Sequence, residues 1–158
     1  MISNVYPTEF FIGEGYPTLE QFLPDTISGA IGRGVVSRAD WRAGQVIARF
    51  TGWLSHEITQ HTLQVTPQLH IHDPWFSGLL THSCSPNAIL DMNRLELLAL
   101  RDIASGEILT IDYTVTEDKL FKQFPCHCGS ADCRQWITGR REEISEEGRQ
   151  WIAAEHSH

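Results

Sequence analysis

Three of the four cysteines in this 158-residue chain fall in one short stretch, CHCGSADC at 126–133, and the fourth, Cys84, stands in THSCSPN at 81–87. The spacing of Cys126, Cys128 and Cys133 around a Gly-Ser turn lets three sulfurs face one centre. A tetrahedral Zn²⁺, with Zn–S bonds of about 2.3 Å, needs four such ligands. Cys84 completes the set, so a four-cysteine metal site uses the whole inventory. Two disulfides or a set of unconnected thiols are the alternatives. The start of the chain, MISNVYPTEFFIGEGYPTLE, lacks the basic and then apolar regions of a secretory signal, which weighs against disulfides. Cys126 and Cys128 are also too close in sequence to bridge each other easily. His127 is a further candidate ligand, but in an extended C-x-C segment it points away from its neighbours. A metal held this way requires residues 84 and 126–133 to meet, which pins a C-terminal flap onto the middle of the chain.

The length suits a single domain with its own core, and 41% hydrophobic against 20% charged residues is the balance of an ordinary globular protein. No apolar run approaches the ~20 residues that span a bilayer. With no signal segment, the expected location is intracellular, cytoplasmic or nuclear. Twelve Lys and Arg against 20 Asp and Glu leave a net charge of −8. That field disfavours direct nucleic-acid binding and favours a lysine- or arginine-rich partner, unless it serves solubility alone. Either a monomer or a homodimer is compatible with the pattern.

Hydrophobic patterning predicts short strands through the middle of the chain. GVVS and QVIARF form a strand–turn–strand pattern with a turn at Gly44. LQVTPQLHI alternates around a proline break. AILDMNRLELLALRDIASGEILTIDY gives three more runs, broken at MNR and ASGE. LELLAL has helical composition, but the turn signals on both sides favour a strand. Residues 1–29 read as loops with one or two short strands. RREEISEEGRQWIAAE reads as a helix, with acidic residues early and Ile144, Trp151 and Ile152 on its apolar side.

Four stretches together resemble the SET-domain protein lysine methyltransferases. THSCSPN is similar to their N-H-S-C-x-P-N signature, and GEILTIDY (106–113) to their G-E-E-L-T-F/Y-D-Y strand. CHCGSADCRQW is similar to the post-SET segment, and GRGVVSRADWRAGQVIARFTG to their N-terminal stretch. The matches lie in family order over roughly residues 28–137. The resemblance implies a mainly β (β-clip/SET) fold of small curled sheets with a C-terminal pseudoknot, a zinc-bound post-SET segment and a short C-terminal helix. It divides the chain into N-terminal loops and short strands (1–29), a SET domain (30–115), a post-SET zinc segment (116–137) and a helical tail (138–158). It also implies that Cys84, Cys126, Cys128 and Cys133 share one zinc.

The implied reaction is methyl transfer from S-adenosylmethionine (SAM) to a lysine ε-amine of a protein substrate. The amine has an ordinary pKa of about 10.4 and must lose a proton first. A narrow apolar channel beside a sulfonium cation lowers that pKa by desolvation and like-charge repulsion. The resemblance places Tyr113 beside the transfer axis as the catalytic residue. It lays Gly32, Arg33 and Gly34 along the methionine part of SAM, with Thr81, the main chain of His82, and Tyr113 also at the cofactor. Trp136 is a further cofactor-binding candidate: it covers the adenine, walls the lysine channel or anchors the tail. Asn87 satisfies backbone groups in the pseudoknot.

Several positions depart from the family pattern. Thr81 replaces an asparagine, Gly78 stands where many members carry arginine, and Ile111 takes the Phe/Tyr position associated with methylation state. Phe50-Thr51-Gly52-Trp53 replaces Y-x-G-E. These departures motivate two alternatives: a SET-like module that binds a partner without methylating it, and a SAM-dependent enzyme acting on a small molecule.

Overall fold

Burial of a few large apolar side chains from short, widely separated strands organises the fold. A computed structural model of the chain describes residues 3–10, 13–29, 32 and 34–155. Within them lie β1 (Phe22–Pro24), α1 (Asp25–Ser28), β2 (Val35–Ser37), β3 (Val46–Arg49), β4 (Trp53–Ser55), β5 (Thr62–Thr66), β6 (Leu69–His72), β7 (Thr81–His82), β8 (Ala88–Asp91) and β9 (Glu96–Ala99). They are followed by β10 (Thr110–Ile111), α2 (Tyr113–Thr116), β11 (Phe124–Pro125), β12 (Trp136–Ile137) and α3 (Glu146–Glu155). The mainly β expectation holds. No helix among the described residues is long and apolar enough to cross a membrane.

The strands make five small sheets, β1-β2, β3-β9-β8, β4-β6-β5, β7-β10 and β11-β12. β2 and β3 flank the turn at Gly44, as the pattern predicts, but they do not pair with each other. β2 pairs with β1, and β3 with β9. The intervening residues are drawn instead to 103–107: Trp41 exchanges both backbone hydrogen bonds with Ile103 at 2.8 Å. Pro67 falls in the β5–β6 turn, where its missing N–H costs no ladder bond. LELLAL is strand over Glu96–Ala99. The acidic tail forms a shorter helix than its pattern suggests. Residues 140–141 form a turn and 142–145 are irregular, and the Ser145 hydroxyl caps α3 by accepting the Gly148 N–H at 3.1 Å.

β10 runs parallel to β7, with Thr110 opposite Thr81 and Ile111 opposite His82. This brings the two signature segments together. Asn87 locks the crossing, since its amide donates to Ile108 O at 2.9 Å and accepts from Thr110 N–H at 2.8 Å. The main core includes Phe22, Phe50, Phe76, Leu97, Ile103 and Leu109, each at most 1% exposed. A smaller cluster of Leu120, Cys126 and Ile137 packs against Tyr113, Phe124 and Cys84.

A buried polar knot holds the 73–78 turn. Asp73 is fully buried and accepts from the N–H groups of Trp75, Phe76 and Ser77 and from the hydroxyls of Ser77 and Tyr6, the last at 2.6 Å. Burial first, and then the Asp73 charge, pushes the Tyr6 phenol far above its ordinary pKa, so it stays a donor. The same oxygen accepts the Thr51 N–H at 3.1 Å. A Cβ at Gly78 would run into the carbonyls of Asp73 and His61, so no arginine fits there. Phe50 is core, and Trp53 is 56% exposed on the edge strand β4.

Removing the carboxylate leaves several buried donors without partners, each costing about 1–3 kcal/mol. Asp73→Ala is therefore expected to lower the unfolding free energy by about 3 kcal/mol or more, and Tyr6→Phe by about 1–2 kcal/mol. In urea denaturation the double variant should lose less than the sum, because both sites belong to one network.

Candidate active site and metal centre

The parallel β7–β10 pair ends at Asp112, whose carboxylate caps α2 by accepting the Thr114 N–H at 3.0 Å. That cap starts the helix at Tyr113 and directs its ring back across the crossing. The Tyr113 hydroxyl donates to the Leu80 carbonyl, one residue before β7. Burial first, and then the Glu117 carboxylate, raises its pKa to about 12. Tyr113 is thus a neutral phenol at ordinary pH, able to donate and accept but not to act as a phenolate.

His82 lies beneath it, with ring centroids 5.2 Å apart and a second edge contact to Phe124 at 5.6 Å. Burial lowers its pKa to about 4, against the opposing pull of Asp112 and with a smaller contribution from Arg134. The imidazole is therefore neutral, and its 3.8 Å approach to Asp112 is not an ion pair. Its Nδ1 accepts the Tyr113 N–H at 3.1 Å, which leaves the hydrogen on Nε2, 3.6 Å from Cys84 Sγ. The side chain, not only the main chain, thus connects Tyr113 to the cysteines. A single His in the middle of THSCSPN gave no signal of this.

The Sγ atoms of Cys84, Cys126, Cys128 and Cys133 all lie within 4.8 Å of one another. Four sulfurs around a tetrahedral zinc stand roughly 3.8 Å apart, so this donor set fits that ion. All four are free thiols. Burial pushes Cys126 up to about 12, whereas the Ser130 hydroxyl, 3.1 Å away, draws Cys128 down to about 5. A central divalent cation removes this disparity by favouring every thiolate. The Arg134 N–H points at Cys84 Sγ from 3.4 Å. The Arg134 guanidinium grips Asp112 with two bonds of 2.9 and 2.7 Å. Both residues next to Tyr113 in this network were missed in the sequence because each is an ordinary charged residue there.

On the cofactor side, Gly34 and Thr81 are brought together: a Cβ on Gly34, whose φ is +66°, would strike the Thr81 hydroxyl and the Leu79 carbonyl. Gly32 is exposed at φ +85° with open space where a side chain would go, the kind of bare backbone a ligand can approach. Arg33 lies outside the described residues. Trp136 is held against the tail. Its Nε1 donates to Gln123 at 2.9 Å, its ring stands 6.0 Å from Trp151 of α3, and Gly148 packs against it. Ile111 is buried and lines a small apolar cavity of about 90 Å³ with Ala88, Leu90 and Val115.

Glu117 is a further residue the sequence did not single out. It is 6% exposed, one helical turn beyond Tyr113, and burial raises its pKa. Both its oxygens accept the Gln64 N–H of β5, at 3.2 and 3.0 Å.

With this geometry in place, comparison with known proteins is direct. The family model described as SET domain matches residues 32–114, a little over half of the chain, and the chain belongs to that family. Histone-lysine N-methyltransferase 2D of Homo sapiens is 31% identical over 78 residues, covering 43% of this chain and 1% of that protein. Methyltransferase flvH of Aspergillus flavus is 34% identical over 97 residues, covering 60% of this chain and 54% of that one. The crystal structure of KRYPTONITE in complex with mCHG DNA and SAH superposes with a TM-score of 0.53 at 26% identity, covering 65% of this chain and 26% of that one. The chain thus spans between about a hundredth and about half of the length of these relatives.

The purified protein is expected to carry one zinc per chain, and Cys128→Ser to lose it. Chelation should make residues 126–134 sensitive to protease while the strand signal in circular dichroism persists. Metal analysis and limited proteolysis check both.

Proposed function

We propose that this chain is a SAM-dependent protein-lysine N-methyltransferase whose post-SET segment holds one structural zinc. The observation that carries the reading is Tyr113. In a chain of the SET family, this residue sits at the junction of the two signature segments: its hydroxyl donates to Leu80 O, its backbone N–H donates to His82 Nδ1, and the Asp112 cap on Thr114 N–H starts its helix. Cys84, Cys126, Cys128 and Cys133 are assigned to the zinc; Gly32, Arg33, Gly34, Thr81 and His82 to the cofactor; and Tyr113 to catalysis. The divisions 1–29, 30–115, 116–137 and 138–158 are part of the same proposal. The substrate is a protein bearing an exposed lysine, reached in the nucleus or cytoplasm, as the names of the histone-modifying relatives suggest.

SAM, when bound, supplies a methyl group activated by its sulfonium centre. The chain's own residues position and desolvate the acceptor. Leu80 O orients the Tyr113 hydroxyl, so its lone pairs are free to accept an N–H of the incoming amine and aim the nitrogen lone pair. Packing of His82 and Phe124 around the ring excludes water from this point. A dry site weakens the ammonium form and favours the neutral nucleophile. Thr81 stands at the cofactor with a short hydroxyl in place of an amide, offering one donor rather than two.

Calorimetric titration of SAM is expected to give micromolar binding, about −8 kcal/mol. Tyr113→Phe should lower turnover on a lysine-bearing protein by about 10²-fold while SAM affinity changes by no more than a few-fold. Equal loss of binding and turnover would assign Tyr113 to folding, and absence of SAM binding by the folded, zinc-loaded protein would overturn the reading.

A further inference from the structure

Contacts on both sides of Tyr113 fix its place, and one of them reaches beyond the β7–β10 pair. Asp112 precedes it and caps α2, yet both oxygens of the same carboxylate are also held by Arg134, whose Nη1 and Nη2 donate at 2.9 and 2.7 Å. Such a planar, two-bond grip fixes direction as well as distance. The Asp112 side chain is 13% exposed, and among the described residues Arg134 is the one Lys or Arg within ion-pair distance of it.

Arg134 is itself fixed from the cysteine side. It follows Cys133, and its backbone N–H points at Cys84 Sγ from 3.4 Å. Its carbonyl accepts the Trp136 N–H at 2.8 Å around Gln135, which takes a left-handed φ of +71°. A residue with a Cβ seldom adopts that region, and does so where its surroundings hold it there. Gln135 is held in this way, since its carbonyl accepts the Cys126 N–H at 2.7 Å. The turn ties the Arg134 backbone to the cysteines while its side chain reaches Asp112. An exposed ion pair serving stability alone needs no such tether and contributes little.

We propose that Arg134 is a positioning residue for methyl transfer: through Asp112 it holds the Tyr113 phenol in its working place only while the cysteine segment is seated. The inference rests on the lysine-methylating reading and adds the residue that makes turnover depend on that segment. Leu80 O and the His82 ring restrain the phenol from the β7 side. The Arg134–Asp112 grip restrains the backbone from which the ring springs. Loosening that grip displaces the phenol without removing any group from the site, so the loss falls on the chemical step.

The test uses the zinc-loaded full chain with ¹³C-labelled tyrosine rings, which gives signals from three residues, Tyr6, Tyr16 and Tyr113. Arg134→Gln keeps the backbone N–H at Cys84 and removes only the guanidinium. It should shift or broaden the Tyr113 signals and leave those of Tyr6 and Tyr16 in place, with zinc content unchanged and SAM affinity within a few-fold. Chelating the metal from the wild-type protein should move the same signals. With methyl-labelled SAM and poly-L-lysine, kcat should fall at least about tenfold while KM stays within a few-fold. Asp112→Asn retains a side chain able to cap α2 and should reproduce both effects, and the double variant should lose no more than about twofold beyond Arg134→Gln. Tyr113 signals unmoved in folded Arg134→Gln protein would overturn the inference. So would an unaltered kcat, loss of zinc by that variant, or additive losses in the double variant. Failure of the wild-type protein to methylate at all bears on the activity reading alone, because the ring signals report the place of Tyr113 without it.

Discussion

The structure depends on a two-residue parallel pairing. Thr110 and Ile111 lie beside Thr81 and His82, and almost no ladder energy comes from so short a contact. Asn87 makes the pairing hold. Its amide reads the backbone on both sides of Leu109, while its own N–H meets the Thr110 hydroxyl at 3.0 Å. Leu109 is fully buried between these anchors. The crossing therefore combines polar satisfaction with apolar burial in three residues, and everything chemical is mounted on it. Cys84, His82 and Thr81 come from one strand and its exit; Asp112 and Tyr113 come from the other.

The cysteine cluster was the most legible element in the sequence, because four cysteines with that spacing leave few arrangements. The short strands were legible in outline, since alternation and turn residues mark them locally. Their partners were not. β2 and β3 look like a hairpin, yet pairing is decided by distant segments at 22–24 and 96–99 that no local pattern names. Trp136 shows the same limit at a single residue. Its neighbours in sequence suggest a ligand role, whereas its position against Gly148 and Trp151 depends on how the tail folds back. The departure at Gly78 had no explanation in the sequence and acquires one in the fold, where two carbonyls occupy the space of a side chain.

Electrostatics divides the site into two halves. Around the cysteines, Arg134 supplies a positive group beside thiolate-forming ligands and clamps Asp112. On the other side, Glu117 is buried against the Gln64 N–H of β5. Tyr113 stands between them as a neutral phenol. Because His82 is also neutral, the connection from Cys84 to Tyr113 transmits position rather than charge. A shift of the metal-binding segment would therefore alter where the phenol points without altering its protonation.

The packing of α3 gives residues 124–139 a second attachment independent of their cysteines. Trp136 is fixed by Gln123, Gly148 and Trp151, and Gly139 is pressed against the Asp118 backbone. Residues 126–134 are thus a short loop tethered firmly at its far end, not a free flap. Its freedom without metal is that of a closed loop of about ten residues, for which the entropy of closure is small. Opening it exposes a mouth and leaves the hinge in place. A loop held this way returns to the same cysteine geometry without searching, because both of its ends stay anchored.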